Sequence, residues 1–188
     1  MDPITLSFLD EQFVEAEDLL DGCDLVRIAR PAGPELVLAE FTCRGLVREQ
    51  SGEIVEAEHF VVGFHFASDY LRRVRVPELL TVISPQSAWH PNMGGSRAPT
   101  AICIGEVKPS TPLINLLHRV YEVITWQAFT PVEYEALNYE ACAWARANPH
   151  RLPVDARPLR WRANAAATIE AAATTAPTSL LDAMEIVE

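Results

Sequence analysis

No stretch of this sequence stays apolar for the ~20 residues that a membrane-spanning helix needs, although 49% of its 188 residues are hydrophobic. The start, Met1-Asp2-Pro3-Ile4-Thr5, lacks the basic residues and apolar run of a secretory signal. A soluble, cytoplasmic protein with no membrane partner is therefore expected. Basic residues are scarce, 15 Lys and Arg against 26 Asp and Glu, for a net charge of −11. Neutralising phosphates takes clustered cations, so a broad nucleic-acid surface is excluded as an expectation. The one basic cluster, Arg72, Arg73 and Arg75, is short and reads as a solvated strand or turn edge, or as a face for a protein partner. The four cysteines, Cys23, Cys43, Cys103 and Cys142, form no CxxC pair and no cluster with histidine. That spacing points to no metal site and to reduced thiols, each a small core residue or a reactive group.

What is present is organised in blocks. Apolar residues recur at three- and four-residue steps over 5–20, with acidic residues mostly between them, which predicts an amphipathic helix ended by Asp21-Gly22. The period then changes. Short strands are predicted at 25–28, 35–41, 45–48, 54–58, 59–67 and 75–83, separated by Pro/Gly signals such as Pro31-Ala-Gly33-Pro34 and Ser51-Gly52. From Ser84 to Pro112 five prolines break any period, and so long a loop inside a domain is commonly functional. Cys103 lies in it on a small apolar island, Ala101-Ile-Cys-Ile104. A strong amphipathic helix is predicted over 113–126, with Pro112 suited to its first turn, and a further helix over 131–148 stopped by Pro149. The order predicts an α+β fold, an N-terminal helix and helices packed on an antiparallel four-stranded meander, over residues 1–152. Residues 153–188 are set apart as a Pro/Ala-rich C-terminal tail, with an apolar end at 180–187 that reads as a fraying terminus or a short partner-binding helix.

The most informative stretch runs from Trp89-His90-Pro91-Asn92 through Ile102-Cys103-Ile104, then Pro109 and Pro112, an amphipathic helix, and Leu137-Asn138-Tyr-Glu-Ala141. This resembles the ubiquitin-conjugating enzyme family, in which a Trp/Tyr-His-Pro-Asn tetrapeptide precedes the acceptor cysteine. Upstream, Phe64-His-Phe-Ala-Ser-Asp69-Tyr70 resembles that family's strand running into an Asp-Tyr-Pro turn. The resemblance spans about residues 5–150 and implies a UBC-like fold with a long active-site loop.

By residue type alone a cysteine between isoleucines is a core residue. The resemblance instead makes Cys103 the thiol that carries a ubiquitin-like modifier as a thioester. Thioesters exchange readily with thiolates and amines, and an ordinary thiol supplies some thiolate near neutral pH. The same resemblance gives Asn92 a hydrogen bond to the oxyanion formed when an amine attacks, or the task of holding the loop in shape. It makes His90 a structural residue, and Trp89 and Pro91 loop packing. Glu135 falls nearest the position of an amine-positioning acid, with Glu133 as the alternative; the plainer reading makes both solvated charges beside a helix start. Cys23, Cys43 and Cys142 keep the core reading.

Several features depart from the family's pattern. Asn92 and Cys103 are eleven residues apart, a longer interval than is usual, so Met93-Gly-Gly-Ser-Arg-Ala-Pro-Thr100 is an enlarged loop. Lys108-Pro109-Ser-Thr-Pro112 replaces the family's Trp-Ser-Pro, Leu71 stands where proline is usual, and the first helix is acidic. These departures imply a divergent, bacterial-type branch with its own activating enzyme, modifier and protein target, and no cofactor. The alternatives are a catalytically inactive binding adaptor of the same fold, and a cysteine hydrolase using Cys103 with a distant histidine.

Overall fold

The computed structural model describes residues 1–94 and 100–159. Helix α1 spans Pro3–Leu20. It begins two residues before the apolar period because its start is set by capping, which periodicity does not register. The Asp2 carboxylate accepts from the backbone N–H of Ile4 at 3.1 Å and Thr5 at 3.0 Å. A further bond from the Thr5 hydroxyl helps hold the Asp2 carboxyl below its ordinary value. Leu9, Ala16 and Leu20 are buried on the inner side, whereas Ile4 and Val14 stand 74% and 56% exposed. The apolar stripe read from the sequence is therefore wider than the packed one.

The sheet has six antiparallel strands in the order β1-β2-β3-β4-β6-β5, which corrects the expected four. They are β1 Val26–Ala29, β2 Leu36–Arg48, β3 Ile54–His65, β4 Leu80–Ser84, β5 Met93–Gly94 and β6 Thr100–Ile102. The two additional strands lie in the proline-rich stretch and are too short to show alternation. Strand β2 is continuous where the sequence predicted a break, and the register shift between Thr42 and Gly45 accounts for the interruption in its pattern. A Cβ on Gly45 would sit 2.6 Å from Phe60 Cζ and 3.0 Å from the Ile124 carbonyl, so only glycine fits there without displacement. Strand β3 is likewise one strand where two were predicted. The strand predicted from Arg75 opens instead as one helical turn, α2 Val76–Leu79, with Pro77 in its first turn.

Helix α3, Leu113–Ile124, lies against α1 and β2. Leu116, Leu117 and Val120 are fully buried in the main core with Phe41, Phe60, Val62 and Phe64 from the sheet. Each such side chain contributes about 1.5–3 kcal/mol of transfer free energy. The single helix predicted over 131–148 is divided. A 3₁₀ turn at Glu133–Glu135 is followed by extended residues, and α4 runs Tyr139–Ala147. The division is made by Asn138, whose side chain caps α4 by accepting from Ala141 N–H at 3.0 Å. A smaller core joins α4 to the sheet through Leu46, Ile54, Trp89, Trp126, Ala141 and Ala145.

Residues 153–159, set with the tail in the sequence reading, run back along β2. Asp155 is 1% exposed and accepts from Arg44 N–H at 3.2 Å and from Arg157 Nη2 at 2.6 Å. Arg157 also donates to the Thr42 carbonyl at 3.2 Å, and its own carbonyl accepts from Tyr121 Oη at 2.6 Å. Leu159 closes this edge of the main core. The apolar segment 180–187 lies outside the described residues.

Candidate active site

The loop between β4 and α3 is held together by Asn92. Cys103 N–H donates to the Asn92 carbonyl at 2.8 Å, and Asn92 Nδ2 donates back to the Cys103 carbonyl at 2.9 Å. Beyond this pair the chains zip as strands β5 and β6, with Met93 opposite Ile102 and Gly94 opposite Ala101. Asn92 Oδ1 accepts from Thr130 N–H at 2.8 Å. That donor can only meet an oxygen, so it fixes which way the amide faces. The long interval between Asn92 and Cys103 thus leaves both ends in direct contact. Cys103 is partly exposed while Ile102 and Ile104 on either side are buried, so the flanking isoleucines are the core residues.

His90 is 1% exposed, and burial pulls its imidazole down to about 3. Its Nδ1 accepts from Asn92 N–H at 3.0 Å, which places the remaining ring proton on Nε2. The neutral ring packs edge-on against Trp126, with centroids 4.4 Å apart. A group held neutral with its acceptor nitrogen already engaged shapes the loop and is not available as a base. Trp89 is buried, donates its backbone N–H to the Leu46 carbonyl at 2.8 Å, and carries the Arg48 guanidinium 5.0 Å above its ring. The Pro91 carbonyl accepts from Asn138 N–H at 3.0 Å, tying the His-Pro-Asn turn to the cap of α4.

On the other side of Cys103 the loop is anchored by α3. Arg119 donates to the carbonyls of Ile104 and, at 2.7 Å, Glu106. Gly105 between them has φ 77°, and an added Cβ there would sit 3.2 Å from Arg119 Nη2. Tyr70 Oη donates to the Thr111 carbonyl at 2.8 Å, closing the loop's far end. Tyr70 is itself 1% exposed, and burial raises its phenol above the ordinary value.

The Leu137-Asn138 segment lies directly beside β5, since a Cβ on Gly94 would sit 2.7 Å from the Leu137 carbonyl. Glu135 on the preceding turn is exposed, and its carboxylate makes no bond among the described residues. Glu133 pairs with Arg146 of α4. The two acidic candidates thus differ: one is engaged in holding α4, the other is free. The remaining cysteines are apart from this site. Cys43 is buried in β2, and desolvation pushes its thiol up to about 12. Cys142 is buried in α4 with its thiol 3.5 Å from the Thr130 carbonyl, and Cys23 packs against the main core.

Among the described residues no group of three His, Cys, Asp or Glu side chains stands close enough to hold a metal ion. No described helix is long and apolar enough to cross a membrane. Two contributors, Thr130 and Arg119, were not singled out from the sequence. Thr130 acts through its backbone, which leaves no mark on residue type. Arg119 is a lone basic residue on the polar side of α3, where a solvated charge is the ordinary expectation. Neither a protein-family model nor a curated protein matches the chain.

Proposed function

We propose that the chain is a ubiquitin-conjugating-type enzyme of UBC-like fold that carries a ubiquitin-like modifier as a thioester on Cys103. The observation that carries this is the reciprocal bonding of Asn92 with the backbone of Cys103, which sets a partly exposed cysteine on a locked loop next to a residue with a side-chain amide. The N-terminal helix, the antiparallel sheet and the two helices after the cysteine support the family resemblance.

The chemistry follows from the residues. The Cys103 thiolate attacks the acyl group presented by an activating enzyme, whose own thiol leaves. An amine of the protein target then attacks the thioester carbonyl, the C–N bond forms and Cys103 departs as thiolate. Negative charge collects on the carbonyl oxygen during that attack. Asn92 Nδ2 carries two hydrogens, of which Cys103 O engages one. The second is the donor left for the oxyanion, in an amide already oriented by Thr130. His90, buried and neutral, keeps the turn in shape. Glu135 supplies a free carboxylate on the segment beside the loop, suited to position the incoming amine. The working partners are an activating enzyme, the modifier and a protein target in the cytoplasm, with no nucleic acid or membrane.

The test is incubation with a cognate activating enzyme, modifier and ATP, followed by non-reducing electrophoresis. Wild type should form an adduct that a thiol reductant removes, and Cys103→Ser a reductant-resistant oxyester at the same position. If neither forms an adduct, the carrier assignment fails and the binding-adaptor alternative takes its place.

A further inference from the structure

Arg119 is half-buried on α3 and pairs with no carboxylate among the described residues, in a chain with 26 acidic residues against 15 basic ones. Its guanidinium is turned to the loop instead. Nη2 donates to the Ile104 carbonyl and Nη1, at 2.7 Å, to the Glu106 carbonyl. A guanidinium presents its donors as a rigid fork, which suits two acceptors at once, whereas an ammonium is a single point. Gly105 lies between the two carbonyls with φ 77°, a conformation that strains other residues. A Cβ there would also meet Arg119 Nη2 at 3.2 Å, so the glycine admits both the bend and the guanidinium.

Asn92 and Arg119 divide the segment around Cys103 between them. Asn92 holds the two peptide groups of Cys103, accepting from its N–H at 2.8 Å and donating to its carbonyl at 2.9 Å. Arg119 holds the next peptide group through the Ile104 carbonyl, and the one after Glu106 through the Glu106 carbonyl. Of the five consecutive peptide groups from Ile102–Cys103 to Glu106–Val107, only the one between Gly105 and Glu106 is bonded by neither side chain. The two clamps are not redundant. A Cys103 held by Asn92 alone pivots with the segment that follows it. Thiol exchange tolerates such movement, since it swaps one good leaving group for another. Attack by an amine on a thioester whose carbonyl oxygen must meet a fixed donor does not, because misplacement by about 1 Å costs on the order of 100-fold in rate.

We propose that Arg119 is a positioning residue for the discharge step, setting the Cys103 thioester against the free amide hydrogen of Asn92; this rests on the assignment of Cys103 as the thioester carrier. Arg119 touches neither the acyl group nor the amine, and its guanidinium stays protonated throughout. It acts through the Ile104 and Glu106 carbonyls, holding the backbone of Cys103 so that the oxyanion forms where the Asn92 amide can donate to it. Loading of the thiol depends far less on that alignment, so the two steps respond differently to the loss of Arg119.

The experiment uses the full chain and, as probe, a short peptide ending in Gly-Gly supplied as its mercaptoethanesulfonate thioester. Loading of Cys103 is followed by intact mass, and after desalting the loaded protein is discharged to free lysine over a range of concentrations. Arg119→Lys should load at the wild-type rate. Its discharge at saturating lysine should be at least tenfold slower, with the half-maximal lysine concentration unchanged. Arg119→Ala should show the same split, and added methylguanidinium should restore its discharge at least fivefold while leaving wild type unaffected. Discharge of Arg119→Lys at the wild-type rate overturns the proposal. So does slowing of loading and discharge by one common factor, which marks a general loosening of the fold, or a raised half-maximal lysine concentration, which marks a contact with the amine. Should the arginine variants fail to fold, Gly105→Ala, which crowds the guanidinium and leaves it in place, carries the test: it should slow discharge and spare loading, and wild-type discharge overturns the proposal. Failure of the wild type to load Cys103 at all overturns the carrier assignment as well.

Discussion

Asn92 and Cys103, eleven positions apart, hold each other by a backbone bond at 2.8 Å in one direction and a side-chain bond at 2.9 Å in the other. The asparagine amide also receives Thr130 N–H, so it has a structural task before any chemical one. Asn92→Ala removes both side-chain bonds at once and leaves a carbonyl and an N–H in want of partners. At about 1–3 kcal/mol for each orphaned group, the free energy of unfolding should fall by about 2–6 kcal/mol in urea titrations. An unchanged value for the variant would show that these bonds do not hold the loop.

His90 gives a pH signature. Its folded value lies near 3 because the ring is buried, against 6.5 for the free group. Between those values the unfolded chain binds a proton that the folded chain refuses, so stability contributed by the neutral ring is fully present above pH 6.5. It is lost as pH falls toward 3, by about 1.4 kcal/mol per unit. Going from pH 7 to pH 5, His90 alone should cost the wild type about 2 kcal/mol. His90→Asn, which keeps an acceptor for Asn92 N–H, should lose that part of the slope. Parallel slopes for the two proteins in denaturant titrations at several pH values would contradict the buried neutral ring.

The Asp155 carboxylate makes a different kind of anchor. The Arg157 guanidinium and backbone donors hold its carboxyl well below the usual carboxylate range, although Arg157 itself is half exposed to solvent. Its stabilising effect is present above the ordinary carboxylate value and fades as pH falls below it. Asp155→Ala leaves Arg44 N–H and Arg157 without their acceptor, and should cost about 2–3 kcal/mol. Truncation after Leu152 removes that clamp together with buried Leu159 and should lower the melting temperature further. Calorimetry on the two variants checks both statements, and equal melting temperatures for the truncated and full chains would remove the segment from the folded unit.

Which parts of this were legible in the sequence follows from where the information sits. Helix α3 is written in side-chain periodicity and the second half of strand β3 in its β-branched and aromatic residues, because those residues face the core, although the sequence divided β3 in two. Strands β5 and β6 are not, since strands of two and three residues carry no period and exist through pairing alone. The break before α4 was missed because Asn138 acts through a cap, which outweighs the helix-forming residues on both sides. At the site, the His90-Pro91-Asn92 turn and Cys103 were found by their pattern. Their union was not legible, because a long interval says nothing about two chain segments returning to each other. Thr130 was invisible for the simpler reason that any residue but proline supplies an N–H.

In sequence Glu135 falls nearest the position of an amine-positioning acid with Glu133 as the alternative, and the structure sets the two apart. Glu133 pairs with Arg146, and both side chains are largely solvated, so Glu133→Gln should cost at most about 1 kcal/mol and leave amine discharge unchanged. Glu135 holds nothing in place among the described residues, so Glu135→Gln should leave stability as it was. If Glu135 positions the incoming amine, its loss should slow discharge of loaded Cys103 to free lysine several-fold while thioester formation proceeds at the wild-type rate. Single-turnover discharge with purified loaded enzyme, run across lysine concentrations, separates the two steps. A positioning role raises the lysine concentration needed for half-maximal rate, and Glu135→Asp should recover part of it, since the charge is kept and only its reach is shortened. Identical discharge curves for Glu135→Gln and wild type would return Glu135 to the class of solvated charges.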